Sequence, residues 1–334
     1  MAVNIALFDN LDDVAGDAGG ALDRAARPGL FDRLDWFRLI AAHCPPSDRL
    51  AVVRAESGGR KAWLFLAIDG NKASDYGSWY SLRVGAVGDR DSNLMTALAA
   101  ALRDGGLARI SLSPVEAPEA LREGFRAAGW TTRLAPHCGN WRIGTEGIDF
   151  DTYWAARPAR LRNTFKRRAK SASLEIEIYD RFDEGAWAAY EAVYRASWKP
   201  DEGSFPFLRA LAEQEGAAGA LRLGIARKDG RPVAAQLWLI ENGEATIHKL
   251  AYAEDAKAMS PGTILGHAMF RHVLDCDRVA AIDYGTGDES YKADWMGERR
   301  TLWRLDAYNP RTMSGFFGAI RARASTLAAP LLRR

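Results

Sequence analysis

The chain is poor in cysteine. Its 334 residues include three, Cys44, Cys138 and Cys276, far apart and odd in number. No C-x-x-C pair occurs, which excludes the common zinc and dithiol motifs, and the usage fits a reducing cytoplasm. Cys276, near the end of a predicted helix, reads as a small core residue. Long apolar runs are lacking too: none approaches the ~18 residues that span a bilayer. The opening MAVNIALFDNLDDVAGDAGG lacks a basic leading segment and carries aspartates, so it does not read as a secretory signal. Net charge is almost absent, at +2, so no overall field draws in nucleic acid. Histidine is scarce, with five residues. His267 and His272 lie five apart rather than at the i, i+4 spacing of a helical metal pair, so both read as structural and no metal is implied.

What is present is an ordinary globular composition, 48% hydrophobic and 26% charged. At roughly 150 residues per domain the length predicts two domains. In the first half, helical spacing predicts helices over 30–43, 93–104 and 117–128. Strands are expected at 50–56 and 61–69 around a Gly58-Gly59 turn, then at 79–86, 108–113 and 136–143. The second half repeats this order. Helices are expected over 151–173, 184–198, 204–215, 263–276 and 288–295, and strands over 221–228, 232–241, 244–252, 279–284 and 299–308. The fold class is therefore α/β, a duplicated layout in which each mixed sheet is flanked by helices. The expected divisions are 1–148, 149–310 and a basic tail, 311–334.

Three features could carry chemistry. Ser260-Pro261-Gly262-Thr263 opens a helix straight after a strand; Ser260 suits the N-cap and Pro261 the first turn. The amides and dipole of such an end bind phosphate, and a plain capped helix is the bland alternative. Asp283 to Lys292 (DYGTGDESYK) is a glycine-rich turn from strand to helix, with Asp283, Asp288, Tyr291 and Lys292 as titratable groups. Arg157 to Lys170 holds seven positive charges and no acid. A solvated face is the usual reason for such a run; an anionic ligand or a membrane surface is the functional one.

On these residues the chain resembles the GNAT acyltransferases of the BioF2-like or CelD-like kind, related to the Fem-type peptidyltransferases. The resemblance rests on Trp154…Arg157…Leu161-Arg162…Arg167-Arg168, on His248-Lys249-Leu250-Ala251-Tyr252, on Ser260 to Leu265, and on Asp283 to Trp295. It implies tandem GNAT-like domains, each a mostly antiparallel sheet, with the chemistry in the second. It implies an N-acyltransferase in which an amine attacks an acyl thioester directly. Acyl-CoA is then a co-substrate, with no tightly bound cofactor. Glu254 to Gly262 departs from the family's phosphate loop in holding one glycine, which leaves room for other activated acyl donors; Fem-type relatives use aminoacyl-tRNA.

The resemblance assigns His248 as base, Tyr291 and Tyr252 as acid candidates, and Asp283 as an orienting group or alternative base. Ser260, Pro261, Gly262, Thr263 and Lys292 would hold the donor; Arg157, Arg162, Arg167 and Arg168 would meet an anionic substrate or surface. After Asp306 there are no acidic residues. The tail sets Met313, Phe316, Phe317, Ile320, Ala324, Leu327 and Leu331 near one face, with Arg321, Arg323, Arg333 and Arg334 beside it and Pro330 ending the helix. Such a helix rests on an anionic membrane or packs across domains. A cytoplasmic enzyme, peripheral on the inner membrane, would take a lipid amine. A sphingoid base, as in bacterial ceramide synthases, is favoured over an amino-sugar intermediate of polysaccharide synthesis. A non-catalytic binding module is the reading from another class. Oligomeric state is not fixed by the sequence.

Overall fold

The computed structural model describes residues 2–46 and 49–328, with side chains to Ala322. The first half carries β1 (Asn4–Phe8), α1 (Leu11–Ala18), α2 (Leu34–His43), β2 (Arg49–Ser57), β3 (Arg60–Asp69), β4 (Lys72–Asp75), β5 (Val87–Gly88), α3 (Ser92–Asp104), β6 (Arg109–Val115), α4 (Glu119–Ala127) and β7 (Thr131–Gly144). The second carries α5 (Phe150–Ala155), α6 (Ala159–Ala172), β8 (Glu175–Tyr179), α7 (Glu184–Arg195), α8 (Phe205–Ala217), β9 (Leu221–Lys228), β10 (Arg231–Glu241), β11 (Glu244–Tyr252), α9 (Pro261–Asp275), β12 (Ala281–Thr286), α10 (Lys292–Trp295), β13 (Glu298–Tyr308) and α11 (Met313–Ala328).

Local chemistry explains several boundaries. Asp229-Gly230 and Asn242-Gly243 all take positive φ, the two central positions of type I′ hairpins, and so fold β9, β10 and β11 into a meander. The helix expected over 151–173 breaks into α5 and α6 at Pro158, which has no N–H to continue the ladder. The stretch 79–86 is not a strand. Ser78 donates its backbone N–H to the Ser81 hydroxyl at 3.1 Å, a local bond that competes with a sheet ladder. Cys276 is exposed rather than in the core, because it lies past the last turn of α9.

The chain forms two compact units, one of Met1–Cys138 with Thr301–Arg334 and one of Gly139–Arg300. This division differs from the expected limits at 148 and 310. In the first unit the strand order is β1-β2-β3-β4-β6-β13, and in the second β8-β9-β10-β11-β12-β7. Within each unit the only parallel pair among described strands is the fourth with the fifth: β4 with β6, and β11 with β12. The pattern is duplicated, but the sixth strands are exchanged. The first half's last strand, β7, completes the second sheet through Gly144 opposite Ala281, and the second half's last strand, β13, completes the first through Asp306 opposite Ser111. Asp306 is 2% exposed and accepts from Arg109 at 2.8 Å, an ion pair with a buried carboxylate that ties β13 to β6.

In the second unit α9 lies on the sheet through a close approach at Gly224. A Cβ there would meet Met269 Sδ at 2.5 Å and Leu265 Cδ1 at 3.1 Å. Aromatic contacts hold α6 and α10 to the same helix. Phe165 stacks on His267 at 3.6 Å, and Trp295 on Phe270 at 4.8 Å. These contacts fix the mouth of the site.

In the first unit, Ala319 and Ala322 of α11 are buried. Met313, Phe316, Phe317 and Ile320 are exposed, so the expected apolar face is present over that stretch. The side chains of Arg323, Ala324 and Leu327 lie outside the described residues, as do Pro330, Leu331, Arg333 and Arg334.

Two outcomes follow from strand exchange and from the Gly224 contact. A chain ending at residue 148 lacks β13 and should give no cooperative melt by circular dichroism, whereas an independent first domain would melt cooperatively. Gly224→Val overpacks the α9 contact and should lower unfolding free energy by about 1–3 kcal/mol in urea titrations.

Candidate functional site

Strands β11 and β12 begin as parallel neighbours and then part. Their register runs Glu244 with Ala281, Ala245 with Ile282 and Thr246 with Asp283, and ends there, although β11 continues to Tyr252 and β12 to Thr286. Both strands are bent at this point. On β11, Lys249 lies opposite Leu237 and Ile247 opposite Trp238, so His248 is the extra residue of a bulge. On β12, the Asp283 carboxylate accepts from the Gly285 N–H at 2.7 Å, Asn140 Nδ2 at 2.6 Å and Arg300 Nη2 at 3.1 Å. Gly285 has φ +67°, which favours a residue without a Cβ, and the register against β7 slips between Asp283 and Thr286.

Over this opening lies a cleft of about 600 Å³. Leu250, Ala251 and Tyr252 form one wall and Tyr284, Ser290 and Tyr291 another; Ser260 to Thr263 and the α6 residues Arg160, Leu161 and Thr164 also line it. Ser260 occupies the N-cap position of α9, yet its φ is +53° and its hydroxyl makes no capping bond. Pro261 has no N–H and Thr263 donates to the Ser260 carbonyl at 3.1 Å, so the end of this 15-residue helix presents the Gly262 amide and its positive dipole to the cleft.

The structure distributes the sequence-based candidates unevenly. Tyr252, Tyr291, Ser260, Pro261, Gly262 and Thr263 meet on the cleft. His248 does not: it is buried, and burial with repulsion from Lys249 pushes its imidazole down to about 3. It is neutral at pH 7 and a weak base. Asp283 is a strut rather than a free carboxylate, held by the three donors above; burial raises its pKa. Lys292 is buried beside the opening, donating to the Thr286 carbonyl at 2.6 Å and pairing with Glu289 at 3.0 Å. Arg157 donates to the Trp295 carbonyl at 3.0 Å and lies 4.7 Å from the Tyr153 ring, so it fastens α5 to the segment after α10. Arg162 and Arg167 are exposed on α6, and Arg168 is half-buried.

Sequence reasoning missed Tyr284 and Trp198. Tyr284 sits on β12 with its ring 5.8 Å from that of Tyr291 in an edge-to-face contact. Burial pushes both phenols well above their usual range, so both stay protonated and able to donate. Trp198 lies in the loop after α7 and packs on Tyr252 at 4.2 Å. The Tyr284…Tyr291 spacing on either side of a glycine turn was a usable signal; nothing periodic marked Trp198.

Residues 156–293 match the sequence profile of the family described as "Acetyltransferase (GNAT) domain". No curated protein matches in sequence. Among solved structures, the C-terminal domain of a putative lysylphosphatidylglycerol synthetase from Agrobacterium fabrum is similar, with a TM-score of 0.57 and 15% identity over 96% of this chain and 97% of that one. FemX is similar with a TM-score of 0.61 and 10% identity, covering 86% and 94%. A tandem GNAT protein from the clavulanic acid pathway has a TM-score of 0.53 and 15% identity, covering 91% and 98%. At such identities the likeness is one of fold.

The His248 shift has a stability consequence. Its folded pKa, about 3, lies below the ordinary 6.5, so its contribution is full above pH 6.5 and is lost as pH falls towards 3. Between pH 7 and pH 5 this loss is about 2 kcal/mol. Urea titrations at the two pH values should show that His248→Gln removes a loss of that size; an unchanged pH dependence would contradict the burial of a neutral imidazole.

Proposed function

Residues 156–293 belong to the GNAT acyltransferases, and on that premise we propose that the cleft binds an acyl-CoA and passes its acyl group to an acceptor amine. The observation that carries this is the opened β11–β12 pair beneath an uncapped helix N-terminus. The Gly262 amide and the positive end of α9 would take the pyrophosphate. The thioester would lie in the opening. There the β11 amides released from β12 can donate to the carbonyl oxygen as it gains charge.

The amine attacks the thioester carbon, the tetrahedral adduct collapses, and the C–S bond breaks. The leaving thiolate takes a proton from a phenol on the cleft, and the proton that nitrogen sheds as the amide forms returns to that phenolate, so one proton passes in net from amine to thiol. Tyr291 is the proposed donor, supported by its contact with Tyr284, and Tyr252 is the alternative. Neither His248 nor Asp283 is proposed as base, since one is buried and weakly basic and the other is fully engaged. Ser260 and Pro261 shape the cradle, while Lys292 acts on β12 rather than on the donor. Arg162, Arg167 and Arg168 would steer an anionic substrate or surface towards α6. The exposed face of Met313, Phe316, Phe317 and Ile320 supports an acceptor presented by a lipid surface. A sphingoid base is the lipid amine that the sequence resemblance favours.

Release of CoA tests this. Purified protein is given acetyl-CoA or palmitoyl-CoA with sphinganine or glucosamine. Palmitoyl-CoA with sphinganine should release CoA; acetyl-CoA with glucosamine alone would move the acceptor to sugars. Tyr291→Phe should cut kcat about 100-fold and leave CoA affinity within about twofold. Folded protein that neither binds CoA nor releases it would overturn the assignment in favour of another donor or a binding module.

A further inference from the structure

The opening between β11 and β12 has a second side. Alternation along β11 turns Lys249 away from its neighbour Leu250, and Lys249 is not among the residues that line the cleft. There Lys249 pairs with Glu202 at 3.0 Å, and the Glu202 side chain is fully buried. The same loop brings Lys199, which is part-buried and lies 5.9 Å from the Tyr194 ring. Lys199 makes no ion pair among the described residues. From the β12 side comes Lys292, held on the Thr286 carbonyl and Glu289. Lys199 interacts electrostatically with all four of these charges, Lys249, Lys292, Glu202 and Glu289. Of these three ammonium groups two hold a carboxylate, and Lys199, part-buried, holds none among the described residues. Burial and the Lys249 ammonium push the Lys199 amine down to about 8.

An uncompensated cation is costly to bury unless a partner arrives. Trp198, next to Lys199, packs on cleft-lining Tyr252, so the cluster borders the opening itself. We propose that Lys199 and Lys249 form the acceptor subsite, which takes an amine carrying an anionic group, a phosphate or a carboxylate, and so prefers a phosphorylated or carboxylated amine to the plain sphingoid base of the sequence resemblance. The acyl donor would enter from the cleft and the acceptor from the lysine side, meeting at the parted strands. This placement rests on the acyl-transfer reading of the cleft; the anion subsite itself does not.

Isothermal titration of the full chain with matched probes tests it. The pairs are O-phosphoethanolamine against ethanolamine and glycine against glycinamide, with CoA titrated separately. At least one anionic probe should bind about tenfold tighter than its neutral partner. Lys199→Gln should bring that ratio to within about twofold, Lys199→Arg should keep it, and CoA affinity should not move. Equal affinity within both pairs, no binding by any probe, or a ratio that survives in both Lys199→Gln and Lys249→Gln would overturn the subsite. A Lys199-dependent ratio without CoA binding would uphold the subsite and remove the donor reading of the cleft.

Discussion

A sheet that opens must supply other partners for the backbone groups it uncouples. This constraint governs the second unit. The parallel pair β11–β12 stops at Thr246 and Asp283, and two separate devices keep it from closing. The bulge at His248 turns β11, and the bonds to the Asp283 carboxylate turn β12 through Gly285. A buried carboxylate is costly, but three donors, one of them the Arg300 guanidinium, offset that cost. Leu250 to Tyr252 keep their partners on β10, but their other edge faces a cleft in place of β12. Donor cradle, phenols and lysines are all placed by reference to this one gap.

The first unit has the same strand order without the same opening. Its parallel pair runs from Lys72 with Arg109 to Ser74 with Ser111, but β4 ends at Asp75 and the cavity beside Asp75 holds only about 20 Å³. The helix in the position of α9 is α3. Its N-terminus is filled by the Asp91 carboxylate, which accepts from the Asn93 and Leu94 amides. A carboxylate there satisfies the amides that a phosphate would need and repels its charge. Among the described residues the duplicated topology thus carries one parted strand pair beneath an uncapped helix. The difference comes down to Asp91 capping its helix where Ser260, in a left-handed conformation, does not.

Much of this was legible in the chain. The Gly58-Gly59 turn, the strand-to-Ser-Pro-Gly-Thr junction and the limits of β9 to β11 are set locally, so they read directly. The exchange of β7 and β13 could not be read, because strand partners depend on register between segments far apart in sequence. The role of Asp283 was misjudged for a related reason. A titratable group at a strand end looks reactive until its donors are known, and Asn140 and Arg300 come from distant segments. His248 has the residue type of a base, but the bulge that buries it is a property of two paired strands. Lys199 left no trace at all: a lone Lys after a helix becomes notable only when Lys249, Lys292 and Glu202 surround it.

The distribution of charge around the gap suits acyl transfer for a specific reason. The helix end at Gly262 and the exposed arginines of α6 lie on one face, and the lysine cluster on the other. Both favour anions, yet neither sits at the reacting carbon. In the proposed reaction the groups nearest that carbon would be backbone amides and protonated phenols, which donate without carrying charge. Fixed cations at the periphery bind the non-reacting parts of two substrates equally in ground and transition states, so they set affinity. Neutral donors at the centre strengthen their bonds only as the carbonyl oxygen and the leaving sulfur acquire negative charge, so they set rate. A lysine placed at the gap itself would pair with a phosphate or carboxylate drawn into it and would close the route to the amine. The recession of Lys292 onto the Thr286 carbonyl and of Lys249 onto Glu202 keeps that centre clear.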